Sequence, residues 1–198
     1  EGGGGSMTSG SRVRRIPMRT KLGFASGSLE EAMVLAAQAI TMIYYNQVLG
    51  VSAALCGTAF LIAAVADAIS DPLVGALSDA VRTRWGRRHP LMLLSAIPIA
   101  LIFYGLYQPP EGLTEHSLFF WLAGSLVALG VAKDFYAIPH SAMGAELTDD
   151  YDERTSIFGW NSIVKALAAI GIGVVIYAVL FPSMPGLENG LLNRERYQ

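Results

Sequence analysis

Two aspartates stand four residues apart in an otherwise apolar run, AAVADAISDPLVGAL, where Asp67 and Asp71 flank Ser70. At i, i+3 and i+4 of a helix these three oxygen-bearing side chains share one face. Small hard cations take oxygen ligands, so that face reads as a half-shell for an ion such as Na+ held at Asp67 and Asp71. A charge at the centre of a bilayer costs at least ~2.5 kcal/mol, which makes acids in such a run functional by default. Two poorly solvated carboxylates this close cannot both stay ionised without a counter-charge, and either Na+ or H+ would supply one. The competing reading is a structural pair neutralised by Lys133 or Lys165.

The chain holds 14 Lys and Arg and 16 Asp and Glu, for a formal charge of −2, and seven of these fall within apolar stretches: Glu30, Glu31, Asp67, Asp71, Lys133, Asp134 and Lys165. Charges inside a membrane face a bundle interior or a water-filled cavity. Glu30 and Glu31 are helix neighbours that diverge by about 100°, so only one points straight into a cavity. Glu31 is the expected solute contact; the rival reading has both acids wetted near a helix end. Lys133 and Asp134 diverge in the same way, with Asp134 expected in the cation shell and Lys133 as its buried partner. Lys165 is either a counter-ion or a hook for the solute. Gly75, Gly171 and Gly173 are expected to let helices approach closely. Tyr44, Tyr45, Tyr136 and Trp160 either stack on a solute or anchor span ends. His140 and Ser141 are adjacent, which is not a triad geometry, and no acid is set to orient the histidine, so no enzyme is expected. With one cysteine, Cys56, neither an internal disulfide nor a structural metal site is indicated.

These residues need membrane-crossing helices to position them. The chain is 53% hydrophobic and 15% charged with a mean hydropathy of +0.43, against about 25% charged in soluble domains, and so reads as an integral membrane protein. Its basic residues cluster in two short stretches rather than over a face, which argues against a nucleic-acid partner. A span needs roughly 20 apolar residues. Five stretches qualify: Leu22 to Val48, Ala53 to Leu77, Pro90 to Tyr107, Ser117 to Ala145, with a bend possible at Pro139, and Thr155 to Phe181.

Arg12, Arg14, Arg15, Arg19 and Lys21 precede the first span, and Arg82, Arg84, Arg87 and Arg88 follow the second. The loops at 49–52 and 108–116 hold no Lys or Arg. The positive-inside rule then puts the N-terminus in the cytoplasm of a multi-pass protein of the cell (inner) membrane. The four arginines are expected to pair with Asp79, Asp149, Asp150, Asp152 and Glu153 as a cytoplasmic latch, simple topogenic charge being the rival. Three parts follow. Residues 1–21 hold a linker-like EGGGGS and a basic tail, and 22–181 a five-helix bundle. Residues 182–198 form an extracytoplasmic loop leading to a sixth helix missing from the chain. The expected partners are a lipid bilayer, a small solute with a monovalent cation, and a missing C-terminal half, because transporters commonly pair related halves. No cofactor is expected beyond co-transported Na+ or H+.

Three segments resemble a known family: DAISDPLVGALSDAVRTRWGRRHP (Asp67 to Pro90), AIPHSAMGAELTDDYDERTS (Ala137 to Ser156) and KLGFASG (Lys21 to Gly27). They are similar to the melibiose permease-like glycoside–pentoside–hexuronide:cation symporters of the major facilitator superfamily. The resemblance runs from Lys21 to Phe181. It implies an all-α membrane protein, the N-terminal part (about five transmembrane helices) of a twelve-helix major facilitator fold. It also implies cation-coupled solute uptake by alternating access. By position, Asp67, Ser70 and Asp71 match the family's cation-site residues on helix two. Asp134 falls where the family has a hydroxyl ligand on helix four, and Glu31 where it has a sugar-binding acid on helix one. Four positions depart from the pattern: Glu30 replaces a lysine, Ala137 a second sugar-binding acid, Ser141 a tryptophan and Asn161 an arginine. The solute-binding set carried forward is Glu31, Lys133, Asn161 and Lys165, for a sugar or related small solute. A lysophospholipid-type amphiphile and a non-transporting interaction module are the alternatives.

Overall fold

Hydrocarbon offers no hydrogen-bond partners, so a chain that crosses it must satisfy its own backbone, and a helix does so within one segment. The computed structural model describes residues 16–80 and 89–180, and every regular element among them is helical. In order these are α1 (Met18–Ser26), α2 (Leu29–Ile43) continued by a π-turn at Tyr44–Val48, α3 (Ala53–Ala80), α4 (His89–Tyr107), α5 (Glu115–Glu146), and α6 (Tyr151–Val175) continued by a π-turn at Ile176–Leu180. Four stretches among the described residues are long and apolar enough to cross a membrane: Ala53–Ala80, Pro90–Tyr107, Glu115–Glu146 and Tyr151–Ala178. They coincide with the second to fifth predicted spans. The expected latch arginines Arg82, Arg84, Arg87 and Arg88, the basic tail up to Arg15 and the loop 182–198 lie outside the described residues.

The first predicted span, Leu22 to Val48, is corrected. It is broken at Gly27–Ser28 into α1 and α2, and the bilayer-length part is the 15 residues of α2 plus the five of its π-turn, about 30 Å at 1.5 Å per residue. The break is held from outside by side chains of α5 and α6. Tyr136 Oη donates to the Gly27 carbonyl at 2.7 Å, the His140 ring meets the Phe24 carbonyl through Nε2 at 3.0 Å, and Ser28 Oγ donates to Asn161 Oδ1 at 2.5 Å. A Cβ on Gly27 would collide with the His140 ring, so glycine is what lets that ring close on the backbone. Further out, Lys21 Nζ pairs with Glu153 at 2.9 Å and donates to Ser156 at 2.8 Å, tying α1 to the start of α6.

Helix α5 is the hub. It packs on α3 and α4, while α6 packs on α1 and α2. The main apolar core lies where α2 runs into α3 and α4 into α5, around Tyr44, Tyr45, Val51, Cys56, Leu106 and Leu122. Tyr44 and Tyr45 are fully buried, donating to the Tyr107 and Leu106 carbonyls at 3.2 and 2.7 Å. They are core residues, neither solute stackers nor interfacial anchors. In the opposite sense to a soluble protein, Leu61, Leu73, Leu93, Leu101, Phe120 and Leu167 point outward, each more than 60% exposed, as a lipid-facing surface requires. Thr114 and Asp150 cap α5 and α6 by accepting from the Ser117 and Glu153 amides. Of the glycines expected to admit close packing, only Gly75 has a neighbour at contact distance, Ile138. The tight approaches are instead at Gly27, at Gly130 against Asp67, and at Gly144 against Phe24.

Candidate functional site

Helices α2, α3, α5 and α6 line an open cavity of about 700 Å³, and polar side chains converge on it. Glu31 enters from α2, Asp71 from α3, Lys133 and Asp134 from α5, and Lys165 from α6. Helical spacing explains the arrangement. Asp71 and Asp134 occur on the inner faces of the α3–α5 pair, and Glu31 and Lys165 on those of the α2–α6 pair. Across the cavity, Lys165 Nζ and Glu31 Oε2 form an ion pair at 2.8 Å, the length of a well-formed charge-assisted bond. Lys165 thus meets Glu31 as a counter-ion while its side chain also lines the cavity.

On the other wall Asp134, only 2% exposed, accepts from Ser70 Oγ at 2.9 Å. Asp71 stands close to the same carboxyl. Lys133 Nζ lies 3.4 Å from Asp67 Oδ2 and 3.7 Å from Asp134 Oδ1. Asp67 turns into a second, smaller cavity of about 190 Å³ that it shares with Lys133, Gln38 and Gly130. Its Oδ1 is buried against Gly130 and has no hydrogen-bond partner among the described residues. Asp67, Ser70, Asp71 and Asp134 are thus brought together, but not as one open shell. Four residues of helical rise is about 6 Å, enough for the two α3 aspartates to serve adjacent cavities, and Lys133 borders both. Among the described residues no three His, Cys, Asp or Glu side chains form a ready-made metal cage.

Asn161, expected in the solute-binding set, is not among the residues lining the large cavity; it is buried and accepts from Ser28 at the helix break. Glu30 diverges from Glu31, as their adjacency requires, and borders an apolar cavity with Met33, Met92 and Tyr107. Both Glu30 carboxylate oxygens are buried without a hydrogen-bond partner among the described residues, so this acid is not wetted. Within the expected latch, Asp150 is spent on capping α6 and Glu153 on Lys21 and the Ile16 amide. Gln38 was not anticipated. It lies seven residues after Glu31, two turns along the same face, and borders both cavities. The available signal was that Gln38 is the one polar side chain between Glu31 and Thr41.

A family profile described as MFS/sugar transport protein matches residues 23–198. The chain is 30% identical over 181 residues to a protein of Synechocystis described as an uncharacterized symporter, covering 87% of this chain and 33% of that protein. It is 29% identical over 172 residues to the putative glycoside/cation symporter YagG of Escherichia coli, covering 85% and 37%. Against the isoprimeverose transporter of Lactiplantibacillus pentosus it is 30% identical over 134 residues, covering 68% and 28%. The chain therefore spans about a third of the length of these curated relatives.

Proposed function

This chain belongs to the MFS/sugar transport protein family, and on that premise we propose that the full-length protein is a cation-coupled symporter of a sugar or a related small polar solute. The observation that carries the reading is the imbalance of charge around the large cavity and its neighbour. Four acids, Glu31, Asp67, Asp71 and Asp134, share two lysines, Lys133 and Lys165. Isolated carboxylates are costly in a low-dielectric interior, and a mobile cation offsets that cost when it binds. The relatives' names, a glycoside/cation symporter and an isoprimeverose transporter, point to the same solute class.

In the proposed cycle, Na+ or H+ enters between the α3 aspartates and Asp134, drawing on Ser70 for a further oxygen. Sugar hydroxyls both donate and accept, and the large cavity offers them a carboxylate at Glu31, an ammonium at Lys165 and an amide at Gln38. The loaded helices then rock against the remainder of the protein to face the other side of an inner membrane, with the N-terminus cytoplasmic. The test is accumulation by the full-length protein in proteoliposomes. A Na+ or H+ gradient should concentrate solute, and Asp67→Asn with Asp71→Asn should abolish concentration while leaving downhill exchange measurable. Undiminished gradient-driven accumulation in the double variant overturns the reading.

A further inference from the structure

We propose that Lys133 is a tethered stand-in for the transported cation: its ammonium occupies the space between Asp67 and Asp134 in the ion-free protein and is displaced into the solute cavity when the ion arrives. This rests on the symport reading above and adds to it the link between ion and solute.

The contrast between the two intramembrane lysines carries the inference. Lys165 is committed to one oxygen of Glu31 at 2.8 Å. Lys133 is shared between two carboxylates on different helices, at 3.4 Å and 3.7 Å, both longer than the 2.7–2.9 Å of a fully formed ammonium–carboxylate bond. It neutralises a site without being fixed to it, as a diffusible ion would. Of its two carboxylate partners, Asp134 is fastened by Ser70, while Asp67 lies beside Gly130 with one oxygen unpartnered among the described residues.

The lysine also has somewhere to go. It is on the wall of both cavities, and its flexible four-carbon stem can swing the ammonium from the smaller one into the larger. The charged groups around its path are Asp67 and Asp71 on α3, Asp134 on α5, Glu30 and Glu31 on α2, and Lys165 on α6. An ion that takes over the oxygens of Asp67 and Asp134 would release into the solute cavity a cationic donor that is otherwise engaged. Ion binding then raises solute affinity, and by reciprocity solute raises ion affinity by the same factor.

The experiment compares full-length wild type, Lys133→Gln and Lys133→Arg in proteoliposomes. It reads the Na+ or H+ concentration that half-saturates solute uptake, and the solute KM with and without the ion. The Gln variant, freed of the competing charge, should half-saturate at roughly tenfold lower ion concentration and lose most of the ion's effect on KM. The Arg variant, whose planar fork grips carboxylates more firmly, should need a higher ion concentration than wild type. If the Gln variant does not fold, the Arg variant alone decides. Wild-type ion dependence in every variant that folds overturns the inference while leaving symport standing. A wild type that accumulates nothing under either gradient overturns both.

Discussion

At the scale of single residues, the site depends on which carboxylate meets which base. Glu31 has its own lysine, whereas Asp67, Asp71 and Asp134 share one between them. Removing the Glu31 charge should therefore act on the solute and not on the ion. We expect Glu31→Gln to raise the solute KM of uptake by tenfold or more, with the ion concentration for half-saturation unchanged, both read from initial rates. A parallel shift in both quantities would show that Glu31 belongs to the ion site instead. The sequence disclosed the shared face of Asp67, Ser70 and Asp71, because that follows from helical spacing. It offered Lys133 as a counter-charge to these acids, but not the sharing of one ammonium between two helices nor the pairing of Lys165 with Glu31, since these depend on how four helices rotate against each other. Asn161 lies at the helix break for a related reason: its short amide reaches Ser28.

At the scale of elements, the second to fifth spans were readable from apolar length alone, while the caps Thr114 and Asp150 start the last two helices two and four residues earlier than that length indicated. The interruption of the first was not, because a glycine and a serine without proline are weak breakers in a membrane helix. What sustains it is tertiary: Tyr136 and His140 on α5 hold the Gly27 and Phe24 carbonyls, and Asn161 on α6 holds the Ser28 hydroxyl. Gly27→Ala should consequently destabilise the protein by about 1–3 kcal/mol, the usual cost of forcing a methyl group into a filled space. The accompanying drop in midpoint should appear in thermal unfolding of the detergent-solubilised protein. Gly171→Ala, with nothing within contact distance, should leave that midpoint unchanged. Equal effects at the two positions would mean that the His140 contact is not what constrains Gly27.

At the scale of the molecule, the outward leucines and the charges lining the cavities describe a multi-pass membrane protein whose described helices carry five intramembrane acids, Glu30, Glu31, Asp67, Asp71 and Asp134, against two lysines. The proposed orientation makes a prediction. Glu111→Cys, in the exposed α4–α5 loop, should react with an impermeant maleimide added to intact cells. Asp149→Cys, exposed between α5 and α6, should react only after permeabilisation; the native Cys56 is buried and silent. The reverse pattern would invert the topology.

The interruption at Gly27–Ser28 has an electrostatic consequence. Because α2 starts afresh inside the bundle, its unpaired amides lie at the level of Glu30 and Glu31, both in its first turn. The amide end of a helix is equivalent to roughly half a positive charge. A backbone that ran unbroken would leave the two glutamates with only the side-chain charges of Lys165 and Lys133 to balance them. By beginning again there, the chain brings its own diffuse positive potential to the acids and needs no extra basic side chain to do so.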